Sequence, residues 1–225
     1  MSTTAPQGFR AAGVAAGLKS SGDPDVALVV NDGPDDAAAA VFTTNRFPAA
    51  PVLWSRQVLS AERVRAVVLN SGGANACTGP EGFQDTHATA EHAAAELGLG
   101  AIDVAVASTG LIGVRLPMDK LTAGVTAAVK ALSEDGGPDA ARAIMTTDSV
   151  PKTTVQTRDG WTVGGMAKGA GMLAPSLATM LVVLTTDAVV PADVLGPALK
   201  TATSLSFERV DSDGCLSTND TVLVM

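Results

Sequence analysis

Short apolar runs, β-branched or alternating, recur along the whole chain, each bounded by Gly, Asn, Asp or Pro. They are Val26–Val30, Ala39–Thr43, Val64–Leu69, Val104–Ala107, Trp161–Val163, Thr179–Thr185 and Thr221–Val224. Such runs read as strands. Between them lie stretches of helical character: alanine-rich Asp85–Leu97, stopped by Gly98 and Gly100; Met118–Leu132 behind Pro117; short Asp139–Met145; and Pro191–Leu205. Proline at the start and glycine past the end are the expected helix punctuation. Strands and helices alternate irregularly and no repeat is present, which predicts an α/β or α+β domain. Ser133–Pro138 reads as a loop.

The interior is constrained further by what is missing. Aromatic residues are 3% of the chain and there is no Tyr. Ala, Val and Gly must therefore build the core, which suits close packing of helices on sheets. With 46% hydrophobic and 17% charged residues in 225, a sizeable core is available and disorder is not expected. A net charge of −8 without a basic cluster argues against a nucleic-acid partner. No run approaches the roughly 18 apolar residues of a membrane span, and Met1–Arg10 lacks a signal-peptide core. A cytoplasmic protein with no membrane partner is expected. Cys77 and Cys215 form no CxxC pair and are read as buried thiols. The sequence stops at Asp220–Met225 within a strand-like run, which suggests part of something longer.

The segment Lys168-Gly-Ala-Gly-Met-Leu-Ala-Pro-Ser-Leu-Ala-Thr179-Met-Leu sets a hydroxyl at the mouth of a strand, behind a flexible loop and a cation. Thr179 is either an ordinary strand-edge residue or a nucleophile whose freed α-amine serves as its base. An α-amine has a pKa of about 8, so part of it can accept the hydroxyl proton near neutrality. Freeing it requires cleavage of the Ala178–Thr179 bond by an N→O acyl shift and then water. Strain near Gly169, Gly171 and Pro175 would help. Lys168 is either a solvated loop residue or a group that binds a substrate carboxylate.

Other motifs are open in the same way. Asn70–Gly79 follows a strand with small residues and is either a tight turn or an anion-binding loop. Ala107–Gly113 is either a strand terminator or a source of oxyanion donors, with the Thr109 hydroxyl among them. Met145-Thr-Thr-Asp148 reads as capping or turn chemistry, with substrate hydrogen bonding as the alternative. His87 and His92, five apart on a helix, do not share a face. No metal site is expected, nor a Ser-His-Asp triad, because no Gly-x-Ser-x-Gly elbow exists.

Gly164-Gly-Met-Ala-Lys168-Gly-Ala-Gly-Met-Leu-Ala-Pro-Ser-Leu-Ala-Thr179-Met-Leu181 resembles the self-cleavage signature of the ornithine acetyltransferase (glutamate N-acetyltransferase) family. Asn70–Gly79, Ser108–Gly113, Met145–Asp148 and Asp211–Thr221 agree in order, as do Gly8–Lys19 and Phe42–Arg46. The resemblance implies a layered mixed α/β sandwich of the kind shared with related aminopeptidases, of N-terminal-nucleophile-like type. It implies cleavage into an α chain, 1–178, and a β chain starting at Thr179, of which 179–225 would be the beginning. Thr179 would carry acetyl from N-acetylornithine to glutamate, with Thr109 and Gly110 as the oxyanion pair and Thr146, Thr147, Lys168 and Thr179 at substrate positions. No cofactor is implied, though acetyl-CoA serves some members as donor, and the family assembly is an α₂β₂ heterotetramer. A binding glutamate and the last Asn and Ser/Thr of the site would lie beyond Met225. The alternatives are a related N-terminal-nucleophile hydrolase or aminopeptidase, and a non-catalytic small-molecule-binding fragment.

Overall fold

The computed structural model describes residues 2–174 and 180–225. The strands among them are β1 (Phe9–Val14), β2 (Val26–Asn31), β3 (Ala39–Phe42), β4 (Ala66–Asn70), β5 (Val104–Ser108), β6 (Lys152–Arg158), β7 (Trp161–Lys168), β8 (Leu181–Thr186) and β9 (Thr221–Val224). The helices are α1 (Ala50–Val58), α2 (Gly79–Leu97), α3 (Met118–Lys130), α4 (Gly137–Ala143) and α5 (Ala192–Leu205). Sheet 1 runs β1-β2-β4-β5 and sheet 2 runs β3-β9-β8-β7-β6. Only β4–β5 and β8–β9 are parallel pairs; the others are antiparallel.

Side-chain alternation shows how the layers stack. Leu181 and Val183 of β8 and Leu223 of β9 enter the main core with sheet 1. Their neighbours Val182, Val222 and Val224 form a second cluster with Leu195 and Leu199 of α5. Successive strand residues point to opposite faces, so sheet 2 lies between sheet 1 and α5. Every residue of β2 and β4 is buried, which requires cover on both faces of sheet 1; α2, α3 and α4 supply it with sheet 2. The result is the layered α/β sandwich expected from sequence. Small residues permit the approach: Ala140, Ala141 and Ala143 are fully buried, and a Cβ on Gly13 would overlap the Asp139 carbonyl.

Among the described residues the outer edge of β5 has no strand partner. Instead α1 closes it with side chains. The Ser55 hydroxyl donates to the Val106 carbonyl (2.7 Å) and accepts from the Val106 amide (2.9 Å), and Trp54 Nε1 donates to the Val104 carbonyl (3.0 Å).

Several elements differ from expectation. β1, β6 and α1 were not predicted. The sequence of β1, Phe-Arg-Ala-Ala-Gly-Val, has weak strand propensity and is held by pairing with β2 from Phe9↔Asn31 to Val14↔Val26. β6 is a polar, largely exposed edge strand that, among the described residues, pairs with β7 alone. The run at Trp161–Val163 extends to Lys168, α2 begins at Gly79 rather than Asp85, and α4 is shifted two residues earlier. Cys77 and Cys215 are exposed, not buried; both lie in turns, where Cys77 has a left-handed φ of 57°. Ala178 and Thr179 lie outside the described residues. No described helix is long and apolar enough to cross a membrane.

Candidate active site

Register brings one end of each sheet to the same place. Lys168 closes β7, Leu181 opens β8 and Thr221 opens β9, and the three are aligned across sheet 2. In sheet 1, Asn70 and Ser108 are partners at the ends of β4 and β5, so the turn beginning at Thr109 emerges there. A cavity of about 350 Å³ lies between these ends. Its walls include Thr109, Gly110, Thr146, Thr147 and Lys168, together with Ala74, Ile112, Ala170, Gly171, Met172, Ser217, Thr218 and Asn219. Thus the described residues singled out from sequence converge on one space.

The turn after β5 is fixed from several sides. The Thr109 amide donates to the Asn70 carbonyl (2.9 Å), which leaves the hydroxyl as the remaining donor of this cavity-lining residue. Ser108 Oγ donates to Asn70 Oδ1 (2.6 Å), and Asn70 Nδ2 donates to the Gly73 carbonyl (2.9 Å). Asn219 Nδ2 joins the Ala74 carbonyl (2.6 Å) to that of Ser108 (2.8 Å). Gly110 has a φ of 128°, and a Cβ there would sit 2.8 Å from the Gly73 nitrogen. Only glycine fits, and it brings two backbone turns into contact.

Lys168 is not a solvated loop residue. It is 2% exposed, and its Nζ donates to Thr146 Oγ1 (3.1 Å). Burial lowers its pKa to about 8, while the charges of Asp148 and Asp220 hold it up. Of the two threonines the sequence left equivalent, Thr146 is the one bonded to the lysine. Asp148 anchors this group: its Oδ1 accepts from the Gly169 amide (2.8 Å) and from Lys152 Nζ, and its Oδ2 from the Thr146 amide (3.2 Å). Burial alone would raise its pKa, but the Gly169 amide, Lys152 and the Thr146 amide bring it below the usual carboxylate value. Across the glycine loop, Asp213 accepts from the Met172 (2.6 Å) and Leu173 (3.0 Å) amides.

Asp220 was missed by sequence reasoning. It is fully buried, and burial pushes its pKa up to about 7 against the Met180 amide, Ser217 and the charge of Lys168. Ser217, Thr218 and Asn219 entered the sequence reading only within a resembling segment. The signal that would have found them is a polar run directly ahead of a strand. Asn70–Gly79 is mainly a turn: Asn75 Nδ2 points inward to the Gly82 carbonyl (2.8 Å) and Thr86 Oγ1 (2.9 Å), and among the cavity-lining residues of this segment is Ala74. His87 packs on Trp54 (4.8 Å between ring centroids), and His92 Nε2 lies 2.8 Å from Thr126 Oγ1. Neither lines the cavity. Among the described residues no group of three or more His, Cys, Asp or Glu could hold a metal ion.

The fold and this site define a class: a layered α/β sandwich with a cavity where the strand ends of its two sheets meet. The crystal structure of ornithine acetyltransferase complexed with ornithine from Mycobacterium tuberculosis superposes with a TM-score of 0.77 at 63% identity, covering 80% of this chain and 96% of that one. The arginine biosynthesis bifunctional protein argJ of Bacillus halodurans gives 0.70 at 35% identity, over 80% and 95%. The chain belongs to the ArgJ family, which it matches over residues 10–225. The arginine biosynthesis bifunctional protein ArgJ of Streptomyces coelicolor is 70% identical over the whole of this chain, and ArgJ 1 of Streptomyces clavuligerus is 65% identical. The chain spans 59% of the length of each of these two relatives.

Proposed function

We propose that this chain carries the nucleophile and the oxyanion donors of a glutamate N-acetyltransferase that moves acetyl from N2-acetyl-L-ornithine to L-glutamate in the cyclic arginine pathway. The Thr179 hydroxyl adds to the Ala178 carbonyl, the acyl group shifts from nitrogen to oxygen, and water hydrolyses the ester. Residues 1–178 then end in a carboxylate, and Thr179 begins a new chain with a free α-amine. That amine takes the hydroxyl proton as Thr179 attacks the acetyl carbonyl. The Thr109 hydroxyl and the Gly110 amide stabilise the oxyanion. Ornithine leaves, and the α-amine of glutamate attacks the acetyl-threonine ester. The Lys168 ammonium, oriented by Thr146 and flanked by Thr147, binds the substrate carboxylate.

The observation that carries this reading is the convergence of Thr109, Gly110, Thr146, Thr147 and Lys168 on one cavity beside the start of β8. The names of the relatives support it. So does the solved M. tuberculosis chain, matched over 96% of its length by 80% of this one, a share close to the segment ending at Ala178. The assembly we propose for the whole protein is a cytoplasmic α₂β₂ heterotetramer with no bound cofactor. Thr179→Ala in the full-length protein abolishes both chain cleavage and acetyl transfer. Two bands for that variant on a denaturing gel would end the reading. Release of acetate from N-acetylornithine without transfer to glutamate would mark a hydrolase instead.

A further inference from the structure

Asp220 directly precedes β9 and Met180 directly precedes β8, and these strands are parallel with Leu181 aligned to Thr221. The two residues therefore stand side by side, and Asp220 Oδ1 accepts the Met180 amide at 2.8 Å. The carboxyl group is fully buried. Its Oδ2 has no hydrogen-bond partner within 3.5 Å among the described residues, although the Ser217 hydroxyl lies near enough to the carboxyl group to lower its pKa. A buried carboxylate with an unsatisfied oxygen is unfavourable, and a neutral amide side chain would serve to hold one backbone N–H. A charge at this position therefore calls for a use beyond that bond, and Lys168 stands in the same row of strand ends, aligned with Leu181 of β8 as Leu181 is with Thr221 of β9.

We propose that Asp220 is a positioning residue for the nucleophile, gripping the Met180 amide to fix the residue bonded to it and placing a carboxylate in the same row of strand ends as Lys168. The inference rests on the reading of Thr179 as nucleophile. Met180 nitrogen is covalently joined to the carbonyl carbon of residue 179, so a fixed amide fixes one end of the reacting residue. Displacement of a reacting group by 1 Å lowers rates by about a hundredfold. The charged groups acting on Lys168 are Asp148 and Asp220, which favour its ammonium, and Lys152 and Lys19, which oppose it. Without Asp220 only Asp148 counters burial and the two lysines, and Lys168 loses its proton at a lower pH than its present value of about 8.

The test compares Asp220→Asn and Asp220→Ala in the full-length protein. Cleavage is followed on denaturing gels, and kcat and KM for glutamate are followed across the pH range around neutrality. Asp220→Ala, which loses acceptor and charge, slows cleavage and lowers kcat by about a hundredfold. Asp220→Asn retains an acceptor for Met180 and recovers most of kcat, but its KM for glutamate rises at a lower pH than in the wild type. Wild-type cleavage and kcat in a folded Asp220→Ala overturn the positioning half. An unchanged alkaline rise of KM in Asp220→Asn overturns the charge half. Should the alanine variant not fold, as read by thermal unfolding, Asp220→Leu, which is similar in size and has no acceptor, takes its place for the positioning half, and the pH profile of Asp220→Asn still decides the charge half. Thr179→Ala runs alongside: if it is still cut, the nucleophile assignment fails by itself, whatever Asp220 does.

Discussion

Replacing Lys168 with Met should make the protein more stable and inactive. The lysine is 2% exposed and has a pKa of about 8 instead of 10.5. Each pH unit corresponds to about 1.4 kcal/mol, so folding with the charged lysine is disfavoured by about 3 kcal/mol at neutral pH. Loss of the bond to Thr146 returns about 1 kcal/mol of that. Asp220, whose pKa is about 7, can take up a proton when its cation is removed. The net gain is about 2 kcal/mol. The sign of the pH dependence follows from the lowered pKa. Between about pH 8 and 10.5 the unfolded chain binds more protons than the folded one at this site, so this group makes wild-type stability rise with pH there and stay constant below. Lys168→Met removes that rise. Urea denaturation at neutral and alkaline pH reads both effects, and an acetyl-transfer assay reads the loss of function. A variant less stable than wild type at neutral pH, or one that keeps the alkaline rise, would refute the reasoning.

Four other substitutions probe other parts of the molecule. Gly110→Ala forces a Cβ to within 2.8 Å of the Gly73 nitrogen; it should lower kcat about a hundredfold and stability by about 1–3 kcal/mol, read by steady-state kinetics and urea unfolding. Thr146→Ala removes the acceptor of Lys168 and should raise substrate KM about five- to tenfold, whereas Thr147→Ala should change it less; equal effects would count against the lysine–threonine pairing. Ser55→Ala leaves both polar groups of buried Val106 without their side-chain partner and should cost about 2–3 kcal/mol in urea unfolding, with transfer kinetics unchanged in the folded fraction.

Which of these features could be read from sequence depends on where the information resides. β2, β8 and β9 are continuous apolar runs buried on both faces, and their composition alone marks them. β1 carries Ala-Ala-Gly at its centre and becomes a strand only because β2 lies beside it, a long-range cause that no local window contains. β6 is polar because it is an edge, where Lys and Thr keep the strand in water. At the site, Thr109 and Lys168 could be singled out because each sits at a strand end with glycine beside it, and Gly110 because the resemblance pairs it with Thr109. Asp148 and Asp220 did not, since an Asp near a turn is ordinarily a capping residue. Their importance comes from burial and from sheet register, and Asp220 meets Met180 across 40 positions of sequence. The exposed cysteines were misread for a related reason: burial of Cys is a tendency of the residue type, while Cys77 and Cys215 take their exposure from the turns that hold them.

The order of sheet 2 has a consequence for a chain severed ahead of residue 179. The downstream piece would own β8 and β9, while the upstream piece would own β7 on one flank and β3 on the other. The later polypeptide would thus be spliced into the middle of the earlier one, laced by backbone hydrogen bonds along both borders and roofed by α5. Pulling the halves apart would mean unzipping two ladders and opening the core between them. The severed protein should migrate as one body under native conditions, and neither half should be a soluble fold when expressed without the other.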